Sequence, residues 1–151
     1  MKKAKFNVTQ TLEITEDQLT DLIANTVCDC CGVRWWKSEN KQDYKDAEAE
    51  LKAEGRENLC VEEIWSRMIF NGKKIMLLDP ESDWDWNSDE EPEGGDWYAV
   101  GLEEIKSGLA KYFEEGYATG CRNVQKVLDK GDFWDTDAIF QCAMYGEVIY
   151  G

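Results

Sequence analysis

Lys73 to Gly101 reads KKIMLLDPESDWDWNSDEEPEGGDWYAVG, two short apolar runs on either side of a long acidic insert. Lys73 to Leu78 and Trp97 to Val100 read as strands, which makes residues 73 to 101 a hairpin with an unusually long tip. That tip, Asp79 to Asp96, carries nine carboxylates, no Lys or Arg, two Trp residues and both prolines of the chain. Removing its charge from the formal net of −15 leaves −6 for the other 133 residues, so most of the surplus sits in one segment. A negative field concentrated in this way suits a docking surface for a basic macromolecule.

Helical periods surround the hairpin. Upstream, Val61, Ile64, Trp65, Met68 and Ile69 mark an amphipathic helix ended by Asn71-Gly72. Downstream, Leu102, Ile105, Leu109, Tyr112 and Phe113 mark another, stopped near Gly116, and Val124, Val127 and Leu128 a shorter one stopped by Gly131. Asp135 or Thr136 is the expected cap of a last helix through Met144, which Gly146 releases into a final strand, Glu147 to Tyr150.

Nearer the amino terminus, Phe6, Val8, Leu12 and Ile14 alternate as a half-buried strand would. Thr15-Glu16-Asp17-Gln18 then matches a capping box, and Leu19, Leu22, Ile23, Thr26 and Val27 continue as a helical stripe toward Gly32. Val33 to Trp36 reads as a short strand, and Asp43 to Glu54 as an exposed helix with little to bury. Without regular βαβ alternation, internal repeat or linker, the 151 residues predict a single small α+β domain. Its mixed or antiparallel sheet is packed by several amphipathic helices, with a long acidic hairpin tip over 79–96.

Composition narrows the function. An apolar share of 42% and an aromatic share of 12% are those of a folded chain. The net charge argues against direct contact with nucleic acid or anionic lipid, where affinity comes from Lys and Arg displacing counterions. MKKAKFNVTQTLEI lacks the continuous apolar stretch of an export signal or membrane anchor, so a cytoplasmic protein with reduced thiols is expected. With no histidine in the chain, the commonest general base and a common zinc ligand are both missing, and no carboxylate spacing singles out an acid–base pair. Binding is favoured over catalysis.

Within the tip, an extended Asp83-Trp84-Asp85-Trp86 places both carboxylates on one side and both indoles on the other. Same-face residues of a strand lie roughly 6.6–6.8 Å apart, close to the phosphate spacing of a nucleic-acid strand, so this row can imitate that backbone. Asp83, Asp85, Asp89, Glu90, Glu91, Glu93 and Asp96, with Trp84, Trp86 and Trp97 as anchors, are the candidate partner-binding residues. The plain alternative is a solvated loop whose indoles cap the edge of the core. Asp83, Asp85, Asn87 and Asp89 also fall at the first four odd positions of an EF-hand loop. Ser88 stands where that loop needs Gly, and Gly94 where it needs a bidentate Glu.

Cys28-Asp29-Cys30-Cys31 contains half of a structural zinc spacing, which Cys60, Cys121 or Cys142 would have to complete. Cys28, Cys30, Cys31 and Cys60 are therefore candidate ligands in a second reading, a zinc-stapled interaction module. Buried thiols explain the same residues, since Cys30 continues the helical stripe and Cys142 lies one turn from Ile139. Arg34-Trp35-Trp36-Lys37 reads as core and its rim before it reads as a base-stacking platform.

The order of segments, TLEITEDQLTDLI, the Trp35-Trp36 patch, IFNGKKIMLLD and the closing DTDAIFQCAMYGEVIYG, resembles a group of short acidic proteins encoded by phages and prophages of Gram-positive bacteria. Their members end in a D-x-x-D-x-x-x-Q-x-x-x-x-G-E-x-x-x-G pattern, matched here near Thr136 to Gly151. The Cys28-Cys30-Cys31 cluster departs from the group. The resemblance implies a phage setting, in which many small acidic proteins inhibit host defence, anti-CRISPR proteins among them. It makes a Cas9-type nuclease, with its positively charged heteroduplex channel, the concrete expected partner.

Overall fold

The computed structural model describes residues 1–7, 9, 11–29, 36–81, 94–117 and 124–151. Three strands, β1 (Trp36–Ser38), β2 (Ile75–Leu78) and β3 (Trp97–Val100), form an antiparallel sheet in the order β1-β2-β3. Register follows the alternation of side chains: Ile75 faces Val100 and Leu77 faces Tyr98 on one side, Met76 faces Ala99 and Leu78 faces Trp97 on the other. Asp79 N–H donates to the Asp96 carbonyl at 3.0 Å and carries the pairing one step past the strands. The ends of the acidic connection are thus held side by side.

Six helices complete the described residues: α1 (Glu16–Asp29), α2 (Lys41–Ala53), α3 (Val61–Phe70), α4 (Leu102–Glu114), α5 (Val124–Lys130) and α6 (Phe133–Tyr145). The architecture is a small single α+β domain. Leu19, Ile23, Met68, Ile69, Ile75, Leu77, Val100, Ile105, Tyr112, Ile139 and Phe140 are fully buried in one cluster, drawn from α1, α3, the sheet, α4 and α6. Burying each such side chain stabilises the fold by about 1.5–3 kcal/mol relative to exposure. Among the described residues no buried side-chain nitrogen or oxygen lacks a partner. None of their helices is long and apolar enough to cross a membrane.

Junctions are set by local chemistry. Thr15 Oγ1 accepts from Gln18 N–H at 3.1 Å while Gln18 Oε1 accepts from Thr15 N–H at 2.9 Å, the reciprocal cap read from the sequence. Gly72, at φ +77°, reverses the chain between α3 and β2, a conformation that a Cβ would strain. At the opposite end of the hairpin, Glu104 accepts from Gly101 N–H at 2.9 Å and from Lys74 Nζ at 2.8 Å, which ties the start of α4 to the approach to β2.

Several expectations are corrected. Described residues before Thr15 form no strand: Leu12 and Ile14 lie against the core, Phe6 is 82% exposed, none of them joins a ladder, and Val8 lies outside the described residues. Alternation shows that a segment is half buried, and an extended arm laid on helices satisfies that as well as a strand does. Glu147 to Tyr150 is no strand either, because the Gln141 side chain takes its backbone groups. The short strand expected at Val33 to Trp36 lies at Trp36–Ser38, with Val33 to Trp35 outside the described residues. α2 starts earlier than expected, at Lys41 behind the Asn40 cap, and it does bury residues, Ala47 and Leu51, against α3.

α6 begins at Phe133, capped by Asp132, where Asp135 or Thr136 was expected to cap. Asp132 Oδ1 accepts from Asp135 N–H at 3.0 Å and Asp135 Oδ2 accepts from Asp132 N–H at 3.2 Å. The box is closed by Asp, one carbon shorter than the usual Glu or Gln, so its sequence signal is weak.

α4 and α6 form the most extensive helix pair, and they meet at Gly108. A Cβ there would stand 2.7 Å from the Ile139 carbonyl and 2.9 Å from Ala143 Cβ. Helix propensity alone favours Gly108→Ala by about 1 kcal/mol. The backbone of α6 cannot withdraw cheaply, so the contact decides the sign: the substitution should destabilise by about 1–3 kcal/mol. Urea denaturation of the two proteins measures it, and a stabilised variant would refute the tight packing.

Candidate functional site

Of the proposed docking residues, Asp83, Trp84, Asp85, Trp86, Asp89, Glu90, Glu91 and Glu93 lie outside the described residues, as does the EF-hand-like run they contain. What the structure places is the root of the segment. Asp96 is exposed beside Gly94 and Gly95, and Glu81 is exposed on the outgoing side. Glu81 N–H donates to Asp79 Oδ1 at 2.9 Å across Pro80, a local turn that begins as soon as β2 ends.

Trp97 is half-buried, and the Lys37 ammonium lies 4.0 Å from its ring centroid. Both belong to the face of the sheet shared with Met76 and Ala99. Trp97 is therefore engaged by a cation of its own chain, a contact worth about 0.5–1 kcal/mol near the surface. As an anchor for a partner it would have to offer an edge of its ring rather than the covered face.

Asp79 is the polar centre of the root. Its Oδ1 accepts from the Tyr150 hydroxyl at 2.8 Å, which brings the carboxy-terminal residues against the hairpin. Tyr145 packs edge-on to Tyr98 at 5.0 Å and to Tyr150 at 6.1 Å. Burial and the Asp79 carboxylate push all three phenols up, Tyr150 to about 12. A phenolate there would face a carboxylate in a poorly hydrated corner, so both effects favour the neutral hydroxyl.

The tail that carries Tyr150 is held by Gln141, which is fully buried. Gln141 Oε1 accepts from Ile149 and Tyr150 N–H, both at 2.8 Å, and Nε2 donates to the Tyr150 carbonyl at 2.8 Å and to Asp137 Oδ2 at 2.7 Å. One side-chain amide thus does what a neighbouring strand would do. Asp137, Gln141 and Gly146, which belong to the closing sequence pattern, are accounted for by this arrangement: Gly146 at φ +78° ends α6 and turns the chain back toward Gln141.

Metal ligands do not gather among the described residues: no three His, Cys, Asp or Glu side chains there converge. Cys30 and Cys31, and the side chain of Cys28, lie outside the described set. Cys60 is exposed at the cap of α3, where its N–H donates to Glu63 at 2.8 Å. Partial desolvation first, and the adjacent Glu62 and Glu63, push its thiol up and away from the thiolate that a metal requires. Burial pushes the Cys142 thiol up to about 11.

Two surface features escaped the sequence reading. Lys37, Lys41 and Lys45, with Ser38, Glu39 and Tyr44, surround an open hollow of about 480 Å³ beside β1, a basic island in an acidic chain. Phe133 and Trp134 are 38% and 53% exposed on the first turn of α6. The first was masked by the dilution of lysines along the sequence, the second by the misplaced cap. No protein-family model matches this chain, and no curated protein or solved structure matches it.

Raised phenols stabilise the fold as long as they stay protonated. That contribution is complete below pH 10, the ordinary phenol value, and is lost as pH rises through about 12 for Tyr150. Tyr150→Phe should destabilise the fold at pH 8 by about 1 kcal/mol for the lost hydrogen bond, read as a lower urea midpoint. It should also flatten the decline between pH 10 and 12. An unchanged alkaline slope would remove Tyr150 from the root.

Proposed function

We propose that the chain is a binding protein that captures a basic, nucleic-acid-binding protein through its acidic connection, and that no chemical step is required of it. The supporting observation is the position of the nine-carboxylate segment between two paired strands. Asp79 and Asp96 are bonded backbone to backbone, and the chain turns at Pro80, so the charged segment leaves the sheet and returns to it at adjacent points. Carboxylates on such a connection steer encounter with a cationic surface, and Trp84, Trp86 and the edge of Trp97 supply apolar anchorage.

In its concrete form the partner is a Cas9-type nuclease of the host cytoplasm, and the chain an anti-CRISPR protein of phage origin. Support for that form is the resemblance of the closing segments, together with the match between a negative row and a channel built for a nucleic-acid backbone. Occupying such a channel blocks guide or target by exclusion alone.

Neutralising Asp83, Asp85, Asp89, Glu90 and Glu91 to Asn and Gln should weaken binding to the nuclease by about tenfold or more while leaving the melting temperature unchanged. Raising salt from about 50 to about 200 mM should slow association of the unmodified protein several-fold, through screening of the steering field. Surface plasmon resonance reads both. Equal affinity of the neutralised variant would move the active surface elsewhere.

A further inference from the structure

β1 is an edge strand of the sheet, and only Glu39 and Asn40 separate it from α2, so Lys37 of β1 and Lys41 and Lys45 of α2 border one open hollow of about 480 Å³. Ser38, Glu39 and Tyr44 complete its described lining, which sets three ammonium groups against one carboxylate. In a chain with 32 acidic and 17 basic residues, a local surplus of this sign runs against the rest of the composition.

The carboxylates of α2 turn to other partners. Asp43 pairs with Lys73 at 3.3 Å, Asp46 accepts from Gln42 at 2.7 Å, and Glu48 accepts from Lys52 at 2.6 Å. Among the described residues neither Lys41 nor Lys45 forms an ion pair, whereas Lys52, Lys73, Lys74, Lys106 and Lys111 all do. Both are exposed and stand one turn apart, where two like charges weaken a helix unless an anion lies between them. Lys37 is fixed differently: its ammonium lies 4.0 Å from the Trp97 ring centroid, a contact that holds the charge without cancelling it.

We infer that this hollow is a binding site for a small molecule that carries a chain of phosphates. Lysine meets phosphate as a compact point charge, and the volume falls within the roughly 300–1,000 Å³ of small-molecule sites. Half-buried Tyr44, packed against the core, supplies the apolar part of the wall. A nucleic-acid strand fits less well, because it would run on past the lysines over a chain of net charge −15. A compact anion stays beside them, and acids more than about 8 Å away are largely screened from it at physiological salt. Glu39 is the lining group that opposes the ligand. None of this rests on the reading of a basic partner.

Nuclear magnetic resonance of the isotope-labelled full chain, titrated at low salt with ATP or inorganic tripolyphosphate and no divalent ion, reads the site directly. Amide signals from Lys37 to Lys45 should shift saturably, and ligand should raise the melting temperature. Lys41→Gln with Lys45→Gln should weaken both ligands about tenfold. The same variant, free of ligand, should melt no lower than the unmodified protein, since a repulsive pair has been removed. Glu39→Gln should tighten both about twofold, and Lys106→Gln, on α4, should change neither. Tighter binding of ATP makes the ligand a nucleotide with its base beside Tyr44, and equal affinities make it the phosphate chain alone; either result upholds the site. Shifts that do not saturate by about 10 mM, or that saturate elsewhere, overturn it. So does equal affinity in the double lysine variant, and so does a single-stranded RNA of about ten nucleotides that binds more tightly than ATP.

Discussion

Arg67 joins three helices that would otherwise meet carboxylate to carboxylate. From α3 its Nε reaches both Glu16 oxygens at 3.0 and 3.1 Å, at the start of α1, while its two terminal nitrogens pair with Glu54 at 2.8 and 2.9 Å, at the end of α2. Glu50 stands 3.6 Å from the same guanidinium and accepts from Asn71. The Arg67 side chain is 13% exposed and that of Glu16 24%, so this arm of the junction escapes part of the screening that weakens surface pairs, while Glu54 and Glu50, about half exposed, meet the guanidinium from the solvent side. Ser66, next in the chain, donates to the Glu16 carbonyl at 2.8 Å and fixes the same approach. A chain with 32 acidic and 17 basic residues has few cations to spare for such a junction, and this one spans three elements with a single side chain.

Other cations of the fold are used in the same way. Arg56 pairs with Glu63, Lys73 with Asp43, Lys74 with Glu104 and Lys111 with Glu115, each joining or trimming helices and their connections. Asp79, at the root of the acidic connection, is satisfied by a phenol and a backbone amide. Neutral donors hold such a carboxylate in position without cancelling its charge. The field of the connection and its mechanical support are thereby separate properties of the molecule, and the proposed capture of a cationic partner depends on both.

Where a single periodicity met a single packing partner, the fold was legible in the chain. β3, α3 and α4 fall within a residue or two of their expected limits because apolar spacing, a following glycine and a capping carboxylate agree there. Legibility failed where a side chain substituted for a backbone partner. Nothing in the spacing of Gln141 announces that it will clamp Ile149 and Tyr150, and nothing in Asp132-Phe-Trp-Asp135 separates a short capping box from two unrelated acids. The proposed docking site was legible as charge and composition only. Its root geometry, Lys37 over Trp97 and Tyr150 on Asp79, joins residues far apart in the chain, and no local pattern encodes such pairings.

Gly108 carries an evolutionary consequence. A helix that rests on its neighbour's backbone through a bare α-carbon leaves one acceptable residue at that position. Acidic loops arise readily and drift freely, since solvent accepts almost any order of Asp and Glu. Descent in this lineage would therefore be traced through an inward-facing glycine, a glutamine with four bonds and an arginine shared by three helices, and a chain that kept those while losing its acids would be a cousin with a different trade.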